Sequence, residues 1–373
     1  MSNETFTETH KISYGKNIMN SFSGVIIGII LFLLSFVVLW KNEGHNVAQL
    51  AVAHYTDKTA IEISADKAER VNDGKLVQLS GKAVTDKTLS DKFVSVPNTF
   101  VLKRNVEMYQ WKENSETSRQ DEFGGGTTET TTYSYEKVWS SNEIDSKDFK
   151  QKKYVNPPFR VKSGRYYAQA GVLGDFMLTS KQIQSMSGFL EYDNLPQKSG
   201  YKIFNNMYYS GSDPENPQIG DIRISYEIVP SGTDISIIGQ QRQNNTIASM
   251  RYKDKMIYMQ QNGILTKDEM LHNFKSSNKL FTNLIRLAGW FMMFMGLNML
   301  LNPLSVIFKF IPIAGSIVSS LSTGVSMLIS VVLSLLTISI AWVAYRPLLL
   351  IVVLLITGCI VFVLKKKFAQ PKM

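Results

Sequence analysis

Residues able to do chemistry are present in this sequence but do not gather into a catalytic or metal-binding pattern. The four histidines, His10, His45, His54 and His272, are scattered, and none stands at ligand spacing from another histidine or from a cysteine pair. There is no His-Glu-x-x-His motif and no Gly-x-Ser-x-Gly elbow. A phosphate-cradling loop needs a strand before it, a helix after it and a Lys followed by Ser or Thr. Gly81-Lys82 lacks both the Ser/Thr and the upstream glycine, and Gly124, Gly125 and Gly126 lie between two strand patterns, as a hairpin tip would. Asp121 and Glu122 sit in a polar turn, where paired carboxylates are ordinarily solvated. Cys359 is the only cysteine, so no disulfide can form within the chain. These readings predict a protein that is not an enzyme and carries no metal or cofactor.

The elements that would hold these residues explain why chemistry is so thin. The stretch "FSGVIIGIILFLLSFVVLW", residues 22–40, has no charge and is long enough to cross the ~30 Å hydrocarbon core. A cleaved signal would have a shorter apolar region and a nearby small-residue site; the Ala-x-Ala at residues 51–53 is too distant, so the segment reads as an anchor. A second apolar block gives spans at 284–301, 321–345 and 347–364. Between the first two of these, residues 302–320 are interrupted by Pro303, Lys309 and Pro312 and read as an interfacial or re-entrant segment. The expected fold is therefore a four-span membrane protein with a large α+β, strand-rich domain at residues 41–283, between the first and second spans. Residues 1–21 form the N-terminal tail, residues 365–373 a basic C-terminal tail, and Arg346-Pro347 the turn between the last spans. Lys11, Lys16, Lys309 and the run Lys365, Lys366 and Lys367 place both termini in the cytoplasm and the domain on the other side. The formal charge of +9 is explained by these flanks and by anionic headgroups, not by nucleic acid.

Within the middle, Val47, Leu50, Ala51 and His54 recur at helical spacing and predict a short amphipathic helix after the anchor. Val106, Met108 and Gln110 alternate with Glu107, Tyr109 and Trp111, and "TTTYSYEKVW" answers them, which predicts a long hairpin. "PSG" at residues 230–232 has turn residues and predicts a second hairpin between its flanking strands. Residues 180–187 suit a short helix, and Thr266 with Glu269 forms a capping-box signature for the helix leading into the second span.

In "RLAGWFMMFMGLNMLLNP", Gly289 and Gly296 are seven apart and share one helix face, the usual device for close helix packing in lipid. Asn298 should seek an interhelical hydrogen bond. Glu43, Arg286 and Arg346 stand at the ends of three spans, and Glu43 is expected to pair with one of the two arginines. Trp290, Trp342 and Tyr345 are expected to anchor the helices at the interface.

Several stretches carry a family resemblance: "NEG" at residues 42–44, "RNVEMYQWKE", "ENPQIGDIRISY", "GWFMMFMGLNML" and "AWVAYRPL", in that order. Together they resemble the LUMA, or transmembrane protein 43, family over nearly the whole chain. The resemblance implies four spans, a large domain between the first and second, and no established catalytic residues. It also implies self-association and, in animal members, an endoplasmic reticulum and inner nuclear membrane setting with lamins and emerin as partners. The Lys/Asn-rich composition, the Gly-Thr loop and the short N-terminus differ from animal members and suggest a bacterial relative in an inner membrane, without a lamina. The function expected is a non-enzymatic membrane scaffold whose partners are lipids, itself and other membrane proteins. The alternative is a lipid-binding or membrane-remodelling protein acting through the strand-rich domain.

Overall fold

The structure, a computed structural model, describes residues 5–308, 312–346, 351–352 and 355. The chain forms two compact units, one of residues 1–8, 54–118 and 130–273, the other of residues 9–53, 119–129 and 274–373. The expected span at 347–364 and the tail at 365–373 lie outside the described residues, apart from residues 351–352 and 355.

The main strands are β1 (Thr5–Ile12), β2 (Leu76–Val84), β3 (Thr99–Asp121), β4 (Thr127–Ser140), β5 (Ile222–Pro230) and β6 (Thr233–Arg242), in the first unit except for residues 9–12 of β1, 119–121 of β3 and 127–129 of β4. One sheet runs in the order β1, β4, β3, β5, then the short strands Met207–Tyr209 and Lys202–Phe204. β3 and β5 are antiparallel with Val106 opposite Ile224 and Met108 opposite Ile222. The second sheet runs Met259–Asn262, β6, Thr246–Ala248, Phe176–Met177, Val172–Leu173, β2 and Ile61–Glu62. β6 also pairs directly with β2, so the strands between them close into a ring. Period-2 alternation drives this: Val106, Met108 and Gln110 are buried while Glu107, Tyr109 and Trp111 are half-buried. Side chains from both sheets, among them Leu79, Ile237 and Phe176 with Leu102, Ile224 and Tyr208, form one buried cluster.

The two β strands flanking "PSG" do not pair with each other. β5 belongs to one sheet and β6 to the other. The turn residues bond elsewhere, the Ser231 amide to the Asn98 carbonyl at 2.8 Å and the Gly232 amide to the Ala83 carbonyl at 2.7 Å. Pro, Ser and a Gly232 at φ 88° do signal a reversal, but the alternation of each strand is satisfied better by a different partner. The long hairpin is present as expected. β3 and β4 meet at a turn closed by the Gly126 carbonyl and the Glu122 amide at 2.8 Å.

The N-terminal tail forms a strand of the first sheet. Residues 1–21 and 41–283 were expected on opposite faces of a membrane, yet β1 is the strand next to β4. Glu8 takes Lys150 at 3.0 Å and accepts from the Tyr133 hydroxyl at 3.4 Å, and Lys11 stands 3.7 Å from Glu122. The pairing bears on the expected division, because unpaired backbone is not tolerated in lipid. Thr5, Phe6, Thr7, Thr9 and Ile12 are strand-forming types in a segment that also reads as a polar tail.

Helices α1 (Tyr14–Thr59), α2 (Ser180–Gln184), α3 (Lys267–Phe308) and α4 (Pro312–Ala344) complete the described elements. Among the described residues three helices, α1, α3 and the Ile317–Ala344 part of α4, are long and apolar enough to cross a membrane. Exposed Ile26, Ile30, Leu33 and Val37 on α1 and Leu284, Leu287 and Phe291 on α3 suit lipid. The anchor and the expected amphipathic helix are one uninterrupted α1. Its buried residues there are Asn42, Glu43, Val52, Ala53 and Thr56, whereas Leu50 and His54 are exposed. No separate segment stands at 302–320 among the described residues: α3 continues through Pro303 to Phe308, and Pro312 opens α4. Pro at a first helical position costs no hydrogen bond, which is why Pro312 starts a helix. The expected short helix at 180–187 is α2, and α3 opens on the expected capping box, with Glu269 accepting from the Thr266 amide at 2.9 Å.

Candidate functional site

In the second unit α1 and α3 run antiparallel, and their contacts keep an almost constant register. Tyr14 donates to the Ile307 carbonyl at 3.0 Å. Gly28 meets Gly296, Leu39 meets Gly289, Asn42 donates to the Thr282 carbonyl at 3.0 Å and Asn278 donates to Asn46 at 2.8 Å. At Gly296 the two backbones themselves come close. A Cβ there would lie 2.7 Å from the Phe32 nitrogen and 2.9 Å from the Gly28 carbonyl oxygen, both backbone atoms. At Gly289 a Cβ would meet the Leu39 side chain at 2.6 Å. The sequence pointed to Gly289 and Gly296; the facing Gly28 was missed, although Gly24 and Gly28 stand four apart in a small-xxx-small pattern.

Glu43 and Arg286 meet at one end of this interface. Arg286 Nε and Nη2 donate to the two Glu43 carboxylate oxygens at 2.7 and 2.9 Å, a bidentate fork. The Glu43 side chain is fully buried, while that of Arg286 keeps 32% exposure. Arg286 also donates to Asn283 at 3.2 Å. Arg346, the other expected partner, is not brought to Glu43: its guanidinium lies over the Trp342 ring at 4.0 Å and donates to the Trp342 carbonyl at 3.3 Å. Asn298 does find an interhelical bond, accepting from Thr323 of α4 at 3.3 Å.

The aromatic residues divide. Trp342 is exposed on α4. Tyr345 packs 6.0 Å from Trp40 and against Gly44, where a Cβ would touch its ring. Trp290 stacks on Phe294 one turn away, and its indole nitrogen has no partner among the described residues.

The first unit holds a buried charged cluster that sequence spacing could not reveal. Asp91 accepts from the Phe93 and Val94 amides at 2.7 and 2.9 Å and from Tyr226 at 2.8 Å, and it is ion-paired to Arg104. Arg104 in turn donates twice to the Lys162 carbonyl, at 3.0 and 2.9 Å. Burial pushes the Asp91 carboxyl up, but the two amides, Tyr226 and Arg104 outweigh it and hold the group below the ordinary carboxylate value. Burial, with the Asp91 charge, raises Tyr226 far above a free phenol. Perturbed groups often mark active sites; here each is occupied by a protein partner. Among the described residues, no group of histidine, cysteine and carboxylates could hold a metal ion.

Long apolar helices joined to a strand-rich unit, with a charged pair at the helix interface, define an integral membrane protein. Residues 108–347 match the family model described as transmembrane protein 43. Human transmembrane protein 43 is 30% identical over 343 residues, covering 87% of this chain and 85% of the human one. The mouse protein is 28% identical over 343 residues, with the same coverage, and a Drosophila melanogaster homologue is 26% identical over 334 residues, covering 86% and 89% of the two chains. The chain belongs to the transmembrane protein 43, or LUMA, family. No solved structure matches it.

Proposed function

We propose that the chain is a non-enzymatic integral membrane scaffold that self-associates and organises other membrane proteins. The observation that supports this most is the open end of the first sheet. Lys202–Phe204 is its last strand, and Ile203 and Phe204 are both exposed. An edge strand offers unpaired N–H and C=O groups to another chain, and apolar side chains beside them strengthen the addition. Asp91, Arg104 and Tyr226 of the same unit, by contrast, are engaged with one another. The partners would be a second copy and other membrane proteins, of the lamin and emerin kind only in a eukaryotic cell. The lysine bias puts the N-terminus in the cytoplasm. The membrane would be the inner membrane of a bacterium, or the endoplasmic reticulum and inner nuclear membrane of a eukaryote.

A second reading, lipid handling by the strand-rich unit, is favoured by a cavity of about 460 Å³ lined mainly by apolar groups, including Val84, Val172, Met177 and Leu178. Cysteine crosslinking separates the two. In a Cys359→Ser background, Ile203→Cys in native membranes should give a disulfide-linked dimer under mild oxidation, while Val71→Cys, also exposed, should not. Absence of the Ile203→Cys dimer would count against self-association through this edge.

A further inference from the structure

Beside the Glu43–Arg286 pair, α1 and α3 enclose a groove of about 280 Å³. Its walls include Asn46 of α1 and Lys275, Lys279, Thr282, Asn283 and Arg286 of α3. Lys275 and Lys279 are one turn apart, both exposed, and neither is ion-paired with a carboxylate among the described residues. Arg286 is neutralised by Glu43, so the groove carries two uncompensated positive charges. Thr282 supplies the independent sign of a ligand. It is 2% exposed and lines the groove, and its hydroxyl has no hydrogen-bond partner. A buried hydroxyl left unmade costs free energy that an acceptor oxygen would recover.

We propose that this groove binds the phosphate of an anionic phospholipid headgroup. Lys275 and Lys279 supply the charge, and Thr282 donates a hydrogen bond to a phosphate oxygen. The same chemistry would suit free phosphate, but the position favours a lipid. The apolar run of α3 begins at Leu287, directly after Arg286, and the uncharged run of α1 ends at residue 40, three residues before Glu43. Leu284 and Leu287 are exposed on the apolar side of the groove, where acyl chains would lie. At 1.5 Å per residue, Lys279 stands about 10 Å beyond Arg286, at headgroup height. The site does not depend on the scaffold reading and fails or stands without it.

The test uses the full chain in phosphatidylcholine nanodiscs doped with phosphatidylglycerol, read by native mass spectrometry of retained lipid. Wild type should retain phosphatidylglycerol over phosphatidylcholine, and inorganic phosphate at millimolar concentration should not displace it. Lys275→Gln with Lys279→Gln should weaken the preference about 30-fold, equivalent to about 2 kcal/mol for two lysines near a charged surface. Thr282→Val should weaken it too while leaving the thermal midpoint in pure phosphatidylcholine unchanged or higher, which separates loss of the site from loss of the fold. Equal retention of the two lipids, or variants that bind like wild type, would overturn the proposal. Displacement by inorganic phosphate would overturn the lipid assignment and leave a soluble-anion site.

Discussion

Glu43 is fully buried between two helices, and a bidentate guanidinium is what makes that tolerable. Removing one partner leaves the other charge without compensation, at a cost of about 3–5 kcal/mol. Arg286→Met should therefore lower the thermal midpoint sharply, and Glu43→Gln with Arg286→Met should recover most of the loss. A double variant as unstable as the single one would show that the pair does not couple the helices. The glycines give a second contrast. Gly296→Ala drives a Cβ into the Phe32 and Gly28 backbone and should cost roughly 1–3 kcal/mol. Gly289→Ala meets only the Leu39 side chain, which can rotate, so it should cost less. Melting both variants in one detergent decides the order. In the strand-rich unit, Asp91 has a depressed folded-state value. Its contribution should be complete above the unfolded carboxylate value of about 4 and be lost as pH falls below it. Acid unfolding of wild type should lose this limb in Asp91→Asn; an identical pH profile would remove Asp91 from the explanation.

At the scale of elements, apolar runs and charges at their ends were legible because each is local in sequence. Residues 22–40 and 284–301 mark the two helices, Glu43 and Arg286 the charged ends, and Thr266 with Glu269 the start of α3. What was not legible depends on partners distant in sequence. The turn at residues 230–232 was visible, but whether β5 pairs with β6 or with β3 is settled by the whole sheet. Asp91, Arg104 and Tyr226 are an ordinary acid, base and phenol until the fold brings them together. Gly24 and Gly28 form a small-residue pattern, but only the contact with Gly296 shows that Gly28 is the one that packs. Helix ends fared similarly: Pro303 has the residue type of a breaker, yet α3 carries it.

For the whole molecule, the pairing of β1 with β4 sets a condition that any membrane arrangement must meet. In a Cys359→Ser background, Thr7→Cys and Thr131→Cys should react with a membrane-impermeant maleimide from the same side of sealed vesicles. Labelling from opposite sides would contradict the pairing and support the expected division of residues 1–21 from 41–283. Family membership accounts for an integral membrane protein, and the scaffold reading adds self-association through an open sheet edge. The most direct measurement is the mass of the intact complex extracted into native lipid discs over a range of protein concentrations. A defined homo-oligomer, reduced to monomer by Ile203→Lys with Phe204→Lys, is the predicted result; a monomer at every concentration, with no protein partner in fixed ratio, would contradict it.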